Sequence, residues 1–437
     1  MKIAFFMDAL SGGGAERIVQ TLANYMQGKK HQVVIFLRHA KENTYPLYPG
    51  VQIFYLKGAK YFAQDLSDML AMQIDIFSFH AYWNTYNFQI ADALLEKGKK
   101  VTFTEHNIFY HLYWEAYIST FVPRRVETWK KADALTVLSS YDYQIHSSVL
   151  DNVVYMPNPN TFSSDVPLQS NYEKYIIAVA RLEPQKRVDK VLHVFAKICP
   201  LYSDWRLLVL GDGTLRMELV QLAKDLGIAE QVSFLGAVSN VKDYYAKSSI
   251  HVMTSDFEGW GLALTEAKEF GIPSVLMELP CFKDLLLHGE DGFMVAQDDI
   301  ETMAKHILFL INHPEQIQAM GKKAQEHVKK YNVDKIGKRW EDLFALIVNQ
   351  PKQEVLSVIK TQYAPAQVYP SKEITADFVR QYNILYERLC EAAPYYKRVK
   401  TSKILCFIFW CMNVLDFARA MGWRKVWERL IFRFRNH

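Results

Sequence analysis

Short apolar runs alternate with longer amphipathic stretches along most of this chain, and that alternation restricts the fold more than any single motif. Strands joined by helical crossovers lie parallel, since the crossover returns the chain to the same edge of a sheet. In the first half, residues 2–7, 32–37, 53–55, 76–79, 101–104 and 134–137 read as strands. Helical patterns fill the gaps; across residues 15–27, Ile18, Leu22 and Met26 fall on one stripe. A second series reads as strands over 175–180, 206–210, 232–235, 250–254 and 273–277, with helical patterns over 300–312, 314–330 and 334–348. Between the two series, Pro157-Asn-Pro-Asn160 and a polar stretch to Tyr172 form the expected hinge. The expected architecture is α/β, with two facing, doubly wound Rossmann-like domains over residues 1–160 and 170–335. A closing helix at 336–350 and a helical extension over 351–437 complete it. A ligand of such a pair belongs in the cleft, at the carboxyl ends of the strands.

The chain has 437 residues, enough for two such domains and an appendage. Half of them are hydrophobic, which excludes extensive disorder, and a net charge of +4 gives no reason to expect a nucleic-acid partner. Cys199, Cys281, Cys390, Cys406 and Cys411 are scattered without metal-ligand spacing and read as reduced thiols. The apolar start at residues 2–7 is too short for a signal peptide, and no apolar run reaches the roughly 18 residues of a spanning helix. A cytoplasmic protein is expected, one that can still touch a membrane surface.

Several motifs fall at the expected strand ends. The stretch from Ser255 to Pro273 carries Glu258 on a glycine-spaced loop and Glu266 on a following helix. Eight residues at helical rise span roughly 12 Å, about the distance from a hexose across a diphosphate to a ribose. Between the acids, the backbone N–H groups of Gly259, Trp260, Gly261 and Leu262 stand at a helix start, where anions are stabilised. Taken alone, the pair also fits an ordinary αβ loop. Ser11-Gly-Gly-Gly-Ala-Glu-Arg17 follows the first strand and lets the backbone approach a phosphate or sugar, although it lacks the G-x-G-x-x-G dinucleotide spacing. Arg181 and Lys186 sit five apart across a proline turn, so both cations can converge on one diphosphate. Leu210-Gly-Asp-Gly213 places Gly211 and Asp212 in a turn able to wall a nucleotide pocket. Thr104-Glu-His-Asn107 puts His106 at a strand end where it would face the cleft, although a lone histidine there is more often structural.

Together these residues, with Phe234-Leu-Gly236, resemble the retaining glycosyltransferases of family 4, which have the GT-B fold. The resemblance covers about residues 1–350, in the right order. It implies that Glu266 binds the ribose hydroxyls and Glu258 those of the donor hexose, while Arg181 and Lys186 hold the departing diphosphate. It places His106 on the sugar, Gly13 and Gly14 near the phosphates, and Leu235 and Gly236 beside the base. Arg187 departs from the family pattern, which has glycine after the lysine. Arg, Lys and helix N–H donors can stabilise a leaving nucleoside diphosphate without a metal, and no Asp-x-Asp element stands at an obvious strand end. No essential metal and no cofactor are therefore expected. A UDP-sugar is the expected donor, and retention would come from same-face attack, since no carboxylate nucleophile stands out.

Tyr82, Trp83, Tyr86, Phe109, Tyr110, Tyr113 and Trp114 suit sugar stacking or a lipid-linked acceptor, and equally ordinary packing. Near the end of the chain, Trp423, Val426, Trp427, Leu430, Ile431 and Phe434 share one helical face, with Arg424, Lys425, Arg429, Arg433 and Arg435 around it. Such a helix suits an anionic membrane interface through residues 404–435, on the inner face of the cell membrane, or docking on the protein itself. The function expected is transfer of a hexose or N-acetylhexosamine from a nucleotide sugar to a glycan acceptor in surface polysaccharide assembly, the acceptor being lipid-linked by analogy. The alternatives are a nucleotide-sugar epimerase of the same fold, or a non-catalytic glycan- or nucleotide-binding partner of a synthase complex.

Overall fold

The strands of this protein are near-continuous apolar runs, as parallel strands covered on both faces must be. The computed structural model describes residues 1–41, 45–80, 85–108, 121–148, 150–162 and 173–366. Among these, the chain divides into two compact units: Met1–Met156 together with the described residues from Gly337 on, and Pro157–Ile336.

The first unit holds β1 (Lys2–Met7), β2 (Gln32–Leu37), β3 (Gln52–Tyr55), β4 (Ile76–Phe79), β5 (Lys100–Glu105), β6 (Ala134–Val137) and β7 (Val153–Tyr155). They pair in parallel in the order β3-β2-β1-β4-β5-β6-β7. Its centre is a run of phenylalanines: Phe6 stacks on Phe79 at 4.0 Å and on Phe36 at 4.8 Å between ring centroids. The helix Val333–Asn349, expected as a closing element, joins this unit from Gly337 on; Arg339 Nη2 donates to the Tyr155 carbonyl at 3.0 Å. A further helix, Lys352–Gln362, leads to Tyr363, whose carbonyl accepts the Tyr155 N–H and so engages edge strand β7.

The second unit holds β8 (Tyr175–Val179), β9 (Arg206–Leu210), β10 (Val232–Gly236), β11 (Ile250–Met253), β12 (Ser274–Met277) and β13 (Gly292–Val295), ordered β10-β9-β8-β11-β12-β13 and again parallel. Alternate residues serve opposite faces. Ile176, Ala178, Leu207 and Val209 enter one core cluster, whereas Ile177, Leu208 and Leu210 join Phe162, Tyr245 and Phe270 in another. Strand β13 was not expected from the sequence. It opens on Gly292, where a Cβ would lie 2.4 Å from the Ser274 carbonyl of β12, so close strand approach demands a residue that hides the strand pattern.

Both sheets are doubly wound, with strand order reversing between β1 and β4 in one and between β8 and β11 in the other. The carboxyl ends of those strands are where such sheets bind ligands. No helix among the described residues is long and apolar enough to cross a membrane. The basic segment 404–435 and all of the aromatic group except Tyr86 lie outside the described residues. Tyr86 itself is buried and donates its hydroxyl to Asp65.

Candidate active site

At the switch point of the second unit, the loop leaving β8 and the loop leaving β11 meet. After β8, Pro184–Lys186 forms a 3-10 turn, and Arg187 takes up left-handed backbone (φ 48°, ψ 43°) ahead of the helix Val188–Ile198. That conformation favours glycine, and it is the position at which the sequence departs from the family pattern. Arg187 holds it with Nε on Asp189 Oδ1 at 3.0 Å and Nη1 on Asp256 Oδ1 at 3.5 Å. The turn thus survives the substitution and delivers Lys186 to the site.

Lys186 Nζ lies 2.6 Å from Glu258 Oε1, to which Ser255 Oγ also donates at 2.8 Å. Glu258 is 9% exposed, so the ion pair is largely desolvated. Gly261 follows at φ 96° and caps the helix Leu262–Glu269; a Cβ there would meet Phe282 Cε1 at 2.8 Å. The backbone N–H groups of Gly259, Trp260, Gly261 and Leu262 donate to nothing among the described residues, and these residues are buried or half-buried. Buried N–H groups without partners are uncommon, and here they stand in a row at a helix start. The Trp260 side chain points into the core, edge-on to Tyr331 at 5.0 Å.

One turn along, Glu266 accepts from Thr161 Oγ1 and from Tyr245 Oη, each at 3.1 Å. The far end of the helix is pinned by Lys268, whose Nζ lies 2.6 Å from the buried Asp291 Oδ2 and 2.9 Å from His327 Nδ1. Burial pushes the Lys268 ammonium down to about 8 against the pull of Asp291.

The loop after β9 closes against the β8 loop. Gly211, at φ 126°, donates its N–H to the Gly236 carbonyl at 2.8 Å. A Cβ on Gly211 would lie 1.9 Å from the Ala180 carbonyl oxygen, so only glycine fits. Asp212 is exposed and accepts from the Gly213 N–H. Leu235 is half-buried against the Phe162–Tyr245–Phe270 cluster, and Gly236 (φ 71°) ends β10. Arg181 is exposed and makes no side-chain hydrogen bond or ion pair among the described residues, so it does not share the engagement of Lys186.

In the first unit, Gly13 precedes the helix Gly14–Gly28, with its N–H taken by Glu16 Oε2 at 3.0 Å. That N–H is therefore already occupied, unlike those beside Glu258. His106 follows β5 directly, and its Nε2 lies 2.8 Å from Nδ1 of His80, which follows β4. Burial holds His106 down to about 3 and His80 well below its usual range, so both imidazoles are neutral near pH 7. Among the described residues, no three His, Cys, Asp or Glu side chains gather in a way that could hold a metal ion.

Residues 12–159 match the family described as Glycosyltransferase Family 4, and residues 161–327 match Glycosyl transferases group 1. The chain belongs to the family 4 glycosyltransferases. Over 368 residues it is 29% identical to a Campylobacter jejuni GalNAc-alpha-(1->4)-GalNAc-alpha-(1->3)-diNAcBac-PP-undecaprenol alpha-1,4-N-acetyl-D-galactosaminyltransferase, covering 80% of this chain and 99% of that one. It is 21% identical to the amylovoran biosynthesis glycosyltransferase AmsD of Erwinia amylovora, over 78% of this chain and 99% of the relative. Among solved structures, Anabaena HepE in complex with UDP superposes with a TM-score of 0.66 at 18% identity, covering 79% of this chain and 100% of that one. The shared architecture is GT-B, with two parallel-sheet Rossmann-like domains.

In this glycosyltransferase, sequence reasoning reached the two glutamates, Lys186 and the glycine turns, but missed the residues that hold them. Ser255 and Tyr245 lie on the elements around Glu258 and Glu266, and Thr161 reaches Glu266 across 105 positions of sequence. His80 was missed because its link to His106 comes from strand adjacency, β4 beside β5, and leaves no spacing signal. Arg216, whose Nη2 donates to the Phe234 carbonyl at 3.1 Å, was available in the sequence five residues after Gly211.

Proposed function

We propose that this glycosyltransferase moves a hexose or N-acetylhexosamine, with retention and without a metal, from a UDP-sugar to a lipid-linked glycan acceptor in surface polysaccharide assembly. The observation that carries the reading is the row of unpartnered N–H groups from Gly259 to Leu262 beside the Lys186–Glu258 pair. A diphosphate in that row would satisfy the orphan donors, draw Lys186 from Glu258, and release Glu258 for the sugar hydroxyls. Glu266, one helical turn on and already oriented by Thr161 and Tyr245, suits the ribose. As the glycosidic bond to the donor breaks, negative charge gathers on the diphosphate, where Lys186, Arg181 and the helix N–H groups can stabilise it. The leaving phosphate would take the acceptor proton on the face at which the acceptor attacks.

The C. jejuni relative, whose name specifies an undecaprenol-diphosphate-linked glycan, supports a lipid-linked acceptor, and the basic aromatic pattern of residues 404–435 supports work at an anionic membrane surface. The test is a transfer assay in EDTA with UDP-sugars and undecaprenyl-diphosphate-linked oligosaccharides, with the anomeric configuration of the product read by NMR. An α-linked product from an α-linked UDP-sugar is expected. Release of a new nucleotide sugar without acceptor would indicate an epimerase, and an inverted product or complete dependence on added Mg²⁺ would overturn the mechanism. Flotation with anionic vesicles, with and without residues 397–437, tests the membrane contact; equal flotation would exclude the tail as the anchor.

A further inference from the structure

The two histidines after β4 and β5 form the end of a buried hydrogen-bond chain. Thr102 Oγ1 lies 3.0 Å from Ser78 Oγ, Ser78 Oγ lies 3.1 Å from His80 Nε2, and His80 Nδ1 lies 2.8 Å from His106 Nε2. Thr102 and Ser78 are wholly buried and His80 is 2% exposed. The His80 ring is held between Phe5, at 5.6 Å, and Trp340, at 5.7 Å, and its backbone N–H donates to the Phe6 carbonyl.

Three proton arrangements satisfy this chain when both rings are neutral, since each contact needs one donor and one acceptor and the serine oxygen can accept twice. In the first, Thr102 donates to Ser78, Ser78 to His80 Nε2, and His80 Nδ1–H to His106 Nε2. Every hydroxyl proton is then used, and His106 carries its own proton on Nδ1. In the second, every bond is reversed and the Thr102 hydroxyl must donate elsewhere. Thr102 has no other side-chain hydrogen-bond partner among the described residues, so the reversed chain leaves a buried donor unsatisfied; in the third, Ser78 accepts from both Thr102 and His80 Nε2–H, and its own buried proton has no partner there. The first arrangement wins on that count. Burial keeps both rings neutral, which preserves the directional chain near pH 7. His106 is half-buried, and its Nδ1 makes no hydrogen bond among the described residues.

We propose that His80 is a positioning residue that fixes His106 as its neutral Nδ1–H tautomer, so that His106 offers a hydrogen-bond donor, and no acceptor, to a hydroxyl of the transferred sugar. This rests on the glycosyl-transfer reading of His106 given above. A donor-only nitrogen discriminates: it donates to the oxygen of a sugar hydroxyl and leaves that hydroxyl's proton to another acceptor.

The test labels the histidines of the full-length protein with ¹⁵N and reads the side-chain shifts of His106, assigned by loss of its signals in His106→Gln. The expected spectrum has a protonated Nδ1 and an unprotonated Nε2. His80→Phe keeps the ring against Phe5 and Trp340 but removes the donor. It should convert His106 to a tautomer mixture and lower kcat roughly ten- to hundredfold, the size seen when a histidine's orienting partner is lost, with KM for the donor little changed. His80→Asn returns an N–H near the position of Nδ1 and should restore both the spectrum and most of kcat. Ser78→Ala, which cuts the chain one link earlier, should also yield a mixture and covers the case in which His80→Phe does not fold. A wild-type His106 protonated on Nε2, or a spectrum unchanged by His80→Phe and Ser78→Ala, would overturn the proposal. Full transfer by His106→Gln would instead refute the role of His106 in transfer, with the shifts still deciding what His80 does.

Discussion

Glu258 and Lys186, expected on the sugar and on the diphosphate of a donor, hold each other at 2.6 Å, with Ser255 on the same carboxylate oxygen. The pair is largely buried, with side-chain exposures of 10% and 15%, and charges so placed act strongly when one is removed. Lys186→Ala should cost the second unit about 3 kcal/mol, because it leaves a mostly desolvated carboxylate with only a serine. It should also lower transfer about 100-fold or more, as loss of one preorganised donor to a leaving oxyanion does. The double variant Lys186→Ala/Glu258→Ala should recover part of the stability and none of the activity. Urea unfolding paired with transfer rates separates the two effects. A double variant no more stable than Lys186→Ala would mean that the buried charge is not what destabilises.

Glu266 presents a carboxylate already fixed on both oxygens, by Thr161 and by the wholly buried Tyr245. Tyr245→Phe removes one donor while keeping the ring that stacks on Phe270. The protein should remain folded, and UDP affinity should fall by about tenfold, the effect of some 1.4 kcal/mol on a charge-assisted hydrogen bond. Isothermal titration with UDP gives the answer. If affinity is unchanged in both Tyr245→Phe and Glu266→Gln, Glu266 serves to tie Thr161 and Tyr245 together and does not meet the ribose.

What was legible in the sequence was whatever local pattern encodes. Strand and helix periodicity placed both sheets, because buried parallel strands carry their signal in a few consecutive residues. It also placed Lys186, Glu258 and Glu266, because turn chemistry and helix starts are local. The pairing of His80 with His106 was not legible, since it depends on β4 lying beside β5. Nor was β13, where packing against Ser274 required a glycine. The left-handed backbone at Arg187 lay hidden for the opposite reason: the residue there disguises a glycine-type conformation.

That disguise can be tested against a true steric requirement. Arg187→Gly should change stability by no more than about 1 kcal/mol, since relief of the left-handed strain offsets the loss of a half-exposed ion pair with Asp189. Asp256 keeps Lys190 Nζ at 3.2 Å. Gly211→Ala should cost more than about 3 kcal/mol, because its Cβ would overlap the Ala180 carbonyl and backbone must move. Gly289→Ala, at φ 78° with nothing within 4 Å, isolates the conformational cost alone at about 1 kcal/mol. Chemical denaturation of the three variants should put Gly211→Ala far ahead of the other two in severity.

Acid should act on both units through their buried histidines. Desolvation holds His106 and His146 down to about 3 in the first unit and His251 to about 3 in the second, and His80 of the first unit lies well below its usual 6.5. In the unfolded chain each would titrate near 6.5, so below that pH the unfolded state binds more protons and stability falls as pH falls. Each such histidine costs up to about 1.4 kcal/mol per pH unit in that window, so the three of the first unit together cost about 4 kcal/mol per unit; in the second unit burial also lowers His306 and His327, which add to His251. Lys268 acts elsewhere: its lowered value makes stability rise with pH only above about 8. The lowered carboxyl of Asp291 stabilises the second unit above the ordinary carboxylate range and is lost only below it. With total stabilities of about 5–15 kcal/mol, losses of this size should destabilise both units markedly as pH falls toward 5. Hydrogen exchange followed by mass spectrometry between pH 7 and 4, corrected for intrinsic rates, reads the two units separately. A first unit equally protected at pH 7 and pH 5, or native histidine resonances of the first unit titrating near 6.5, would contradict the buried neutral state assigned to His80, His106 and His146.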